Sequence, residues 1–124
     1  MKKAEFNINT KDSVRSVNGY VGKVEFIVPE NNHFTLFFGI NKNPSRYALD
    51  RRWIVTELST GMSLSYGRTQ KEAIECSCRV IRRNGVPDFF ESVEETVLRL
   101  SSSGLNVELC ESLKRMKAEF TVDF

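Results

Sequence analysis

The chain has 124 residues and a formal net charge of +2, with 40% hydrophobic and 27% charged side chains. That balance excludes an intrinsically disordered polymer, and the overall charge is too small to imply a polyanionic partner. Three cysteines without paired-ligand spacing argue against a secreted disulfide framework and for a reducing, cytoplasmic setting.

The first half reads as strands. In "KAEFNIN" (3–9), Ala4, Phe6 and Ile8 alternate with polar residues, and "GKVEFIV" (22–28) repeats the pattern through Val24, Phe26 and Val28. After the turn signal "PENN", the stretch "HFTLFFGI" (33–40) puts Phe34, Leu36, Phe38 and Ile40 on one face. "WIVTEL" (53–58) and "MSLSY" (62–66) flank "STG" as a hairpin, with Gly61 in the turn. The hexamers at 3–8, 23–28 and 117–122 share the pattern K-x-E-F-x-[IV], but their surroundings do not repeat.

The second half reads mainly as helices. Thr69 to Asn84 carries Ala73, Ile74, Ser77, Val80 and Ile81 on one side and stops at Gly85, with Pro87 behind it. A second helix is expected over about 88–102, capped by Asp88 with Glu91 completing a capping box. Leu105, Val107 and Leu109 alternate like a strand, yet the helix formers of "ELCESLKRMKAE" favour a third helix at 107–117, with a terminal strand over 118–124. No apolar stretch follows the Lys pair of "MKKAEFNINTKD". No segment approaches the roughly 18 apolar residues of a membrane span.

The junction "SYGRTQKEAIE" (65–75) comes nearest to a motif. Its Gly67, Thr69, Glu72 and Ala73, with Gly61 in the preceding turn, resemble the hairpin-to-helix junction of HicB-type antitoxins. They also resemble the arm-binding domains of phage integrases, in which a three-stranded sheet reads DNA. The resemblance stops at the junction and carries over no functional residue. Capping chemistry accounts for the same residues: Thr69 accepts from the Glu72 N–H, the Glu72 carboxylate reaches back to Thr69, and Gly67 turns the chain.

Charge is unevenly spread, at +1 over residues 1–41, +5 over 42–83 and −4 over 84–124. Much of this is helix electrostatics: Arg82 and Arg83 sit at a helix C-terminus, and Arg79 follows Glu75 by one turn. What helix electrostatics leaves unexplained is the loop "NKNPSRYALDRRW" (41–53). There Lys42, Arg46, Arg51 and Arg52 stand with Tyr47 and Trp53, and Arg68 follows Tyr66 nearby. Guanidinium groups beside aromatic rings suit a phosphate backbone and unstacked bases. The competing reading is a solvated loop with Trp53 packed inward.

Catalytic signals are sparse. His33, the sole histidine, lies at a hairpin edge, Cys76 and Cys78 diverge on a helix, and no phosphate loop, HExxH or nucleophile elbow is present. The sequence therefore implies a single α+β domain over 1–124, strand-rich over 1–66 and helix-rich over 69–117. An antiparallel sheet of five to six strands would carry two or three helices on one face. The other face, bearing Thr35, Phe37 and one side of 53–56, would be left for a partner. The first expectation for function is a non-enzymatic interaction module that self-associates or binds another protein, without metal or cofactor. The alternative is a nucleic-acid-binding protein using 42–53 and Arg68, and an enzyme of unknown class comes last.

Overall fold

The computed structural model describes residues 1–9, 13–29, 32–45 and 47–103. The expected third helix and terminal strand lie outside these residues. Five antiparallel strands in sequence order form one sheet: β1 (Lys2–Asn9), β2 (Val14–Val28), β3 (Asn32–Lys42), β4 (Trp53–Glu57) and β5 (Met62–Gly67). Two helices follow, α1 (Gln70–Asn84) and α2 (Val86–Ser103). This is the α+β fold that the alternation and helical periodicity imply. Among the described residues no helix is long and apolar enough to cross a membrane.

The apolar stripe of β3 sets the main core. Leu36, Phe38 and Ile40 pack with Phe26 and Val55 from neighbouring strands and with Ala73, Ile81 and Val86 from the helical layer. From α2, Phe90 stacks on Phe34 with ring centroids 5.2 Å apart and meets Phe26 edge-on at 6.2 Å. A register shift between Val55 and Thr56 makes Leu64 the extra residue of a bulge, and Leu64 turns toward this same core. Beneath α1, Ser65 Oγ lies 2.5 Å from Ser77 Oγ and donates to the Ala73 carbonyl at 2.7 Å, so the buried hydroxyls satisfy one another.

The opposite sheet face is not bare. β2 is 15 residues long, starting well before the expected Gly22, and its first half pairs with β1 from Lys2↔Val21 to Asn9↔Val14. This β1–β2 arm curls over the face carrying Gly39 and Thr56. Phe6, Val21 and Leu58 form a second buried cluster there, joined by Ala4, Ile8, Val17 and Phe37. The Asn9 N–H donates to the Gly61 carbonyl at 2.7 Å, linking β1 to the β4–β5 turn at the far side of the sheet. The face expected to await a partner is thus partly covered by the chain's own N-terminal arm. The physical reason is that Ala4, Phe6 and Ile8 need burial that the helices, on the other side, cannot supply.

Local details refine the sequence reading. Thr69 is the α1 N-cap and its Oγ1 accepts from the Glu72 N–H at 3.1 Å, but the Glu72 carboxylate turns to Arg68 Nε at 3.9 Å rather than back to Thr69. Glu75 meets Lys71 at 4.0 Å instead of Arg79. Gly85, at φ +89°, ends α1, and α2 begins at once with Val86. Pro87 and Asp88 therefore lie within the first turn of α2, where proline needs no N–H partner, and Asp88 is not its cap. In the β4–β5 turn the buried Glu57 carboxylate accepts from the N–H and hydroxyl groups of both Ser59 and Thr60. This is why "ELSTG" folds as a turn with a carboxylate inside it.

Candidate functional site

The arm and the sheet do not close completely. Between them lies a cleft of about 520 Å³, walled by Ile8, Asn9, Arg15, Val17 and Asn18 from the arm. Asn41, Lys42, Ile54, Thr56, Ser63 and Tyr66 come from β3, β4 and β5, with Asn43 and Pro44 from the following loop. The volume falls within the roughly 300–1,000 Å³ of small-ligand sites. Two cations, Arg15 and Lys42, line it, while carboxylate, histidine and cysteine are missing from its wall among the described residues. It therefore offers positive charge, neutral amides and hydroxyls, and an apolar floor, but no general acid or base working near neutral pH.

Asn43 and Pro44 border this cleft and begin the connection to β4. Asn43 organises it: its N–H donates to the Arg52 carbonyl at 2.8 Å, its Nδ2 to the Arg51 carbonyl at 3.0 Å, and its Oδ1 accepts from the Ser45 N–H at 3.0 Å. A short 3-10 turn at Leu49–Arg51 then returns the chain to β4. This leaves Tyr47 at 86% and Leu49 at 73% exposure on the outside of the loop.

The residues singled out in the sequence fall into three groups. Two cation–aromatic pairs are brought together: Lys42 Nζ sits 5.7 Å from the centre of the Trp53 ring, and the Arg51 guanidinium 5.8 Å from that of Tyr66. Lys42 and Tyr66 line the cleft itself, whereas Trp53 packs half-buried against the main core on the other face. There Trp53, Tyr20, Lys3 and Lys42 border a shallower groove of about 250 Å³. Tyr47, Arg52 and Arg68 stand exposed at the same end of the sheet without joining the cleft wall, and Arg68 is engaged with Glu72. Arg46 lies outside the described residues.

Arg15, Asn18 and Asn41 are cleft residues that sequence reasoning did not find. The missing signal was strand alternation over "VRSVNGY", where apolar, cationic and glycine residues follow no period of two. Without a strand there, nothing placed Arg15 in the same cleft as Lys42.

Asn41 is the most unusual residue of the site. It is only 7% exposed, its Nδ2 donates to the Lys42 carbonyl at 3.1 Å, and its Oδ1 has no hydrogen-bond partner. A buried acceptor left unpaired costs on the order of 1–3 kcal/mol. Comparison of this chain with protein-family models, curated proteins and solved structures finds no match.

Proposed function

We propose that this chain is a non-enzymatic binding module for single-stranded nucleic acid, engaged at the end of the sheet where the cleft opens. The observation that carries this reading is the pairing of Lys42 with Trp53 and of Arg51 with Tyr66 around a cleft whose wall holds Arg15 and no carboxylate. A strand backbone needs cations spaced along a groove, and its bases need ring faces; Arg15 and Lys42 supply the first and Tyr66, 42% exposed, the second, with Trp53 bordering the neighbouring groove. The free thiols of Cys76 and Cys78 favour a reducing cytoplasm as its setting.

The test is fluorescence anisotropy with labelled single- and double-stranded oligonucleotides at roughly 50 and 200 mM salt. Saturable binding to the single strand is expected at the lower salt, weakening steeply at the higher, and weakened further by Arg51→Ala or Arg15→Ala. Binding that ignores both salt and these substitutions would refute it.

A second reading, association with another protein or a second copy, is favoured by a separate observation. β1 pairs with β2 only as far as Val21, and β4 pairs with β3 only from Phe38 onward. The distal hairpin of Val24–Val28 and Asn32–Thr35 therefore has no further strand partner among the described residues, and Ile27 there is 69% exposed. Free strand edges template pairing with other chains. Sedimentation of the wild type against Ile27→Lys tests it: a self-associating wild type and a monomeric variant are expected, and a monomer in both cases removes self-association.

A further inference from the structure

Resting on the nucleic-acid reading, we propose that the cleft beneath the arm receives one unstacked base of the bound strand, with Asn41 accepting a hydrogen bond from an N–H of that base. The polarity of the cleft runs in the order such a guest requires. Its cations, Arg15 and Lys42, are exposed, so charged phosphates stay outside. The less exposed part of the wall is apolar or neutral: Ile8, Val17 and Ile54 are half-buried and Asn41 and Thr56 buried, while Tyr66 stays 42% exposed. A planar, uncharged, nitrogen-rich ring fits this gradient, whereas a phosphate inside would lose water without meeting a buried cation.

Asn41 supplies the polar contact. Its Nδ2 donates to the Lys42 carbonyl, so Oδ1 is the atom left to accept. Oδ1 has almost no free surface in the folded chain, so the guest reaches it as the carboxamide turns about its terminal bond toward the cleft. Every nucleobase carries N–H donors on its edges, so the contact distinguishes a base from a bare sugar–phosphate. Each stacked base contributes appreciably to single-strand affinity, and Tyr66 provides the ring face.

The experiment uses the full chain and labelled strands of about twelve nucleotides, a length within known single-strand site sizes. One strand carries bases throughout and the other is abasic at its central positions. Two variants are compared with the wild type: Asn41→Leu, which removes the acceptor at similar volume, and Ser63→Phe, which fills the cleft from an exposed position. The Trp53 emission spectrum reports that each variant remains folded. The expected result is weaker wild-type binding to the abasic strand, and a loss of about five-fold or more for either variant on the base-bearing strand, the share of one hydrogen bond. Neither variant should change binding to the abasic strand. Salt-sensitive binding that is equal for both strands and all three proteins would overturn the base pocket while leaving the nucleic-acid reading standing. An absence of binding to either strand at low salt would overturn both.

Discussion

Replacing Gly39 with alanine tests the closure of the N-terminal arm. A Cβ at this position would lie 2.5 Å from Phe6 Cε2, 2.6 Å from Cζ and 2.7 Å from Cδ2, well inside contact distance. The Phe6 ring is itself buried against Val21 and Leu58, so it has little room to retreat. Overpacking of this kind costs about 1–3 kcal/mol, against which alanine recovers roughly 0.5–1 kcal/mol of the backbone entropy that glycine forfeits in a strand. Phe6→Leu removes Cε2 and Cζ, two of the three clashing atoms, and the separate cost of the cavity it leaves cancels within the cycle. Gly39→Ala should therefore destabilise the wild type but be close to neutral in the Phe6→Leu background, a coupling on the order of 1–3 kcal/mol. Urea denaturation followed by Trp53 fluorescence on the four proteins of the cycle measures it. If Gly39→Ala costs the same in both backgrounds, within about 0.5 kcal/mol, then Phe6 does not sit over Gly39 and the arm is not folded onto the sheet.

Thr69→Ala removes the α1 N-cap and should lower unfolding free energy by about 1 kcal/mol in the same assay, while Thr69→Ser should restore most of it. Glu57→Gln places an amide donor among the N–H and O–H groups of Ser59 and Thr60. Its expected cost is about 1.5–3 kcal/mol, and an unchanged urea midpoint would contradict the turn geometry. At Cys78, burial pushes the thiol pKa up; the Arg82 guanidinium opposes this and Glu75 adds to it. Since the thiolate is the nucleophile, alkylation of Cys78 followed by peptide mass spectrometry should be slower at neutral pH than that of a small thiol. Its rate should continue to rise at pH values where the small thiol has levelled off; a plateau at the same pH would show that Cys78 is not shifted.

The legible parts of this fold are those where one face of an element is buried uniformly. Phe34, Leu36, Phe38 and Ile40 alternate because each meets the helical layer, and Ala73, Ser77 and Ile81 recur at helical spacing because α1 lies flat on β4 and β5. The arm was not legible because β2 serves two cores. Phe26 points into the main one and Val21 into the second, and the polar residues between them, Lys23 and Glu25, pair with each other at 3.5 Å. The repeated K-x-E-F-x-[IV] pattern illustrates the limit. Phe6 and Phe26 occupy the same place in nearly the same hexamer, yet they are buried on opposite sides of the sheet. Of the candidate site, Lys42, Arg51, Trp53 and Tyr66 could be named from the composition of one loop and the neighbouring strand end, but not which cation meets which ring. The cleft could not, because Arg15 and Asn41, far apart in sequence, line it together only once the arm is folded over the sheet.

The order of the strands also bears on how the molecule assembles. Every strand pairs with its neighbour in sequence, so β2 to β5 and α1 can form by successive short-range additions without threading or crossing over. The docking of β1 onto the β4–β5 turn is different, since Asn9 and Gly61 are brought together only after the intervening strands are in place. Closing that contact late gives the arm the least cooperative support from the rest of the sheet, and the Asn9 amide should be among the first of the strand amides to exchange with solvent. Opening there would leave the main core under α1 and α2 intact while exposing the interior beneath the arm. This order of assembly makes the Asn9–Gly61 contact, rather than the packing between the helices, the place where opening is expected to start.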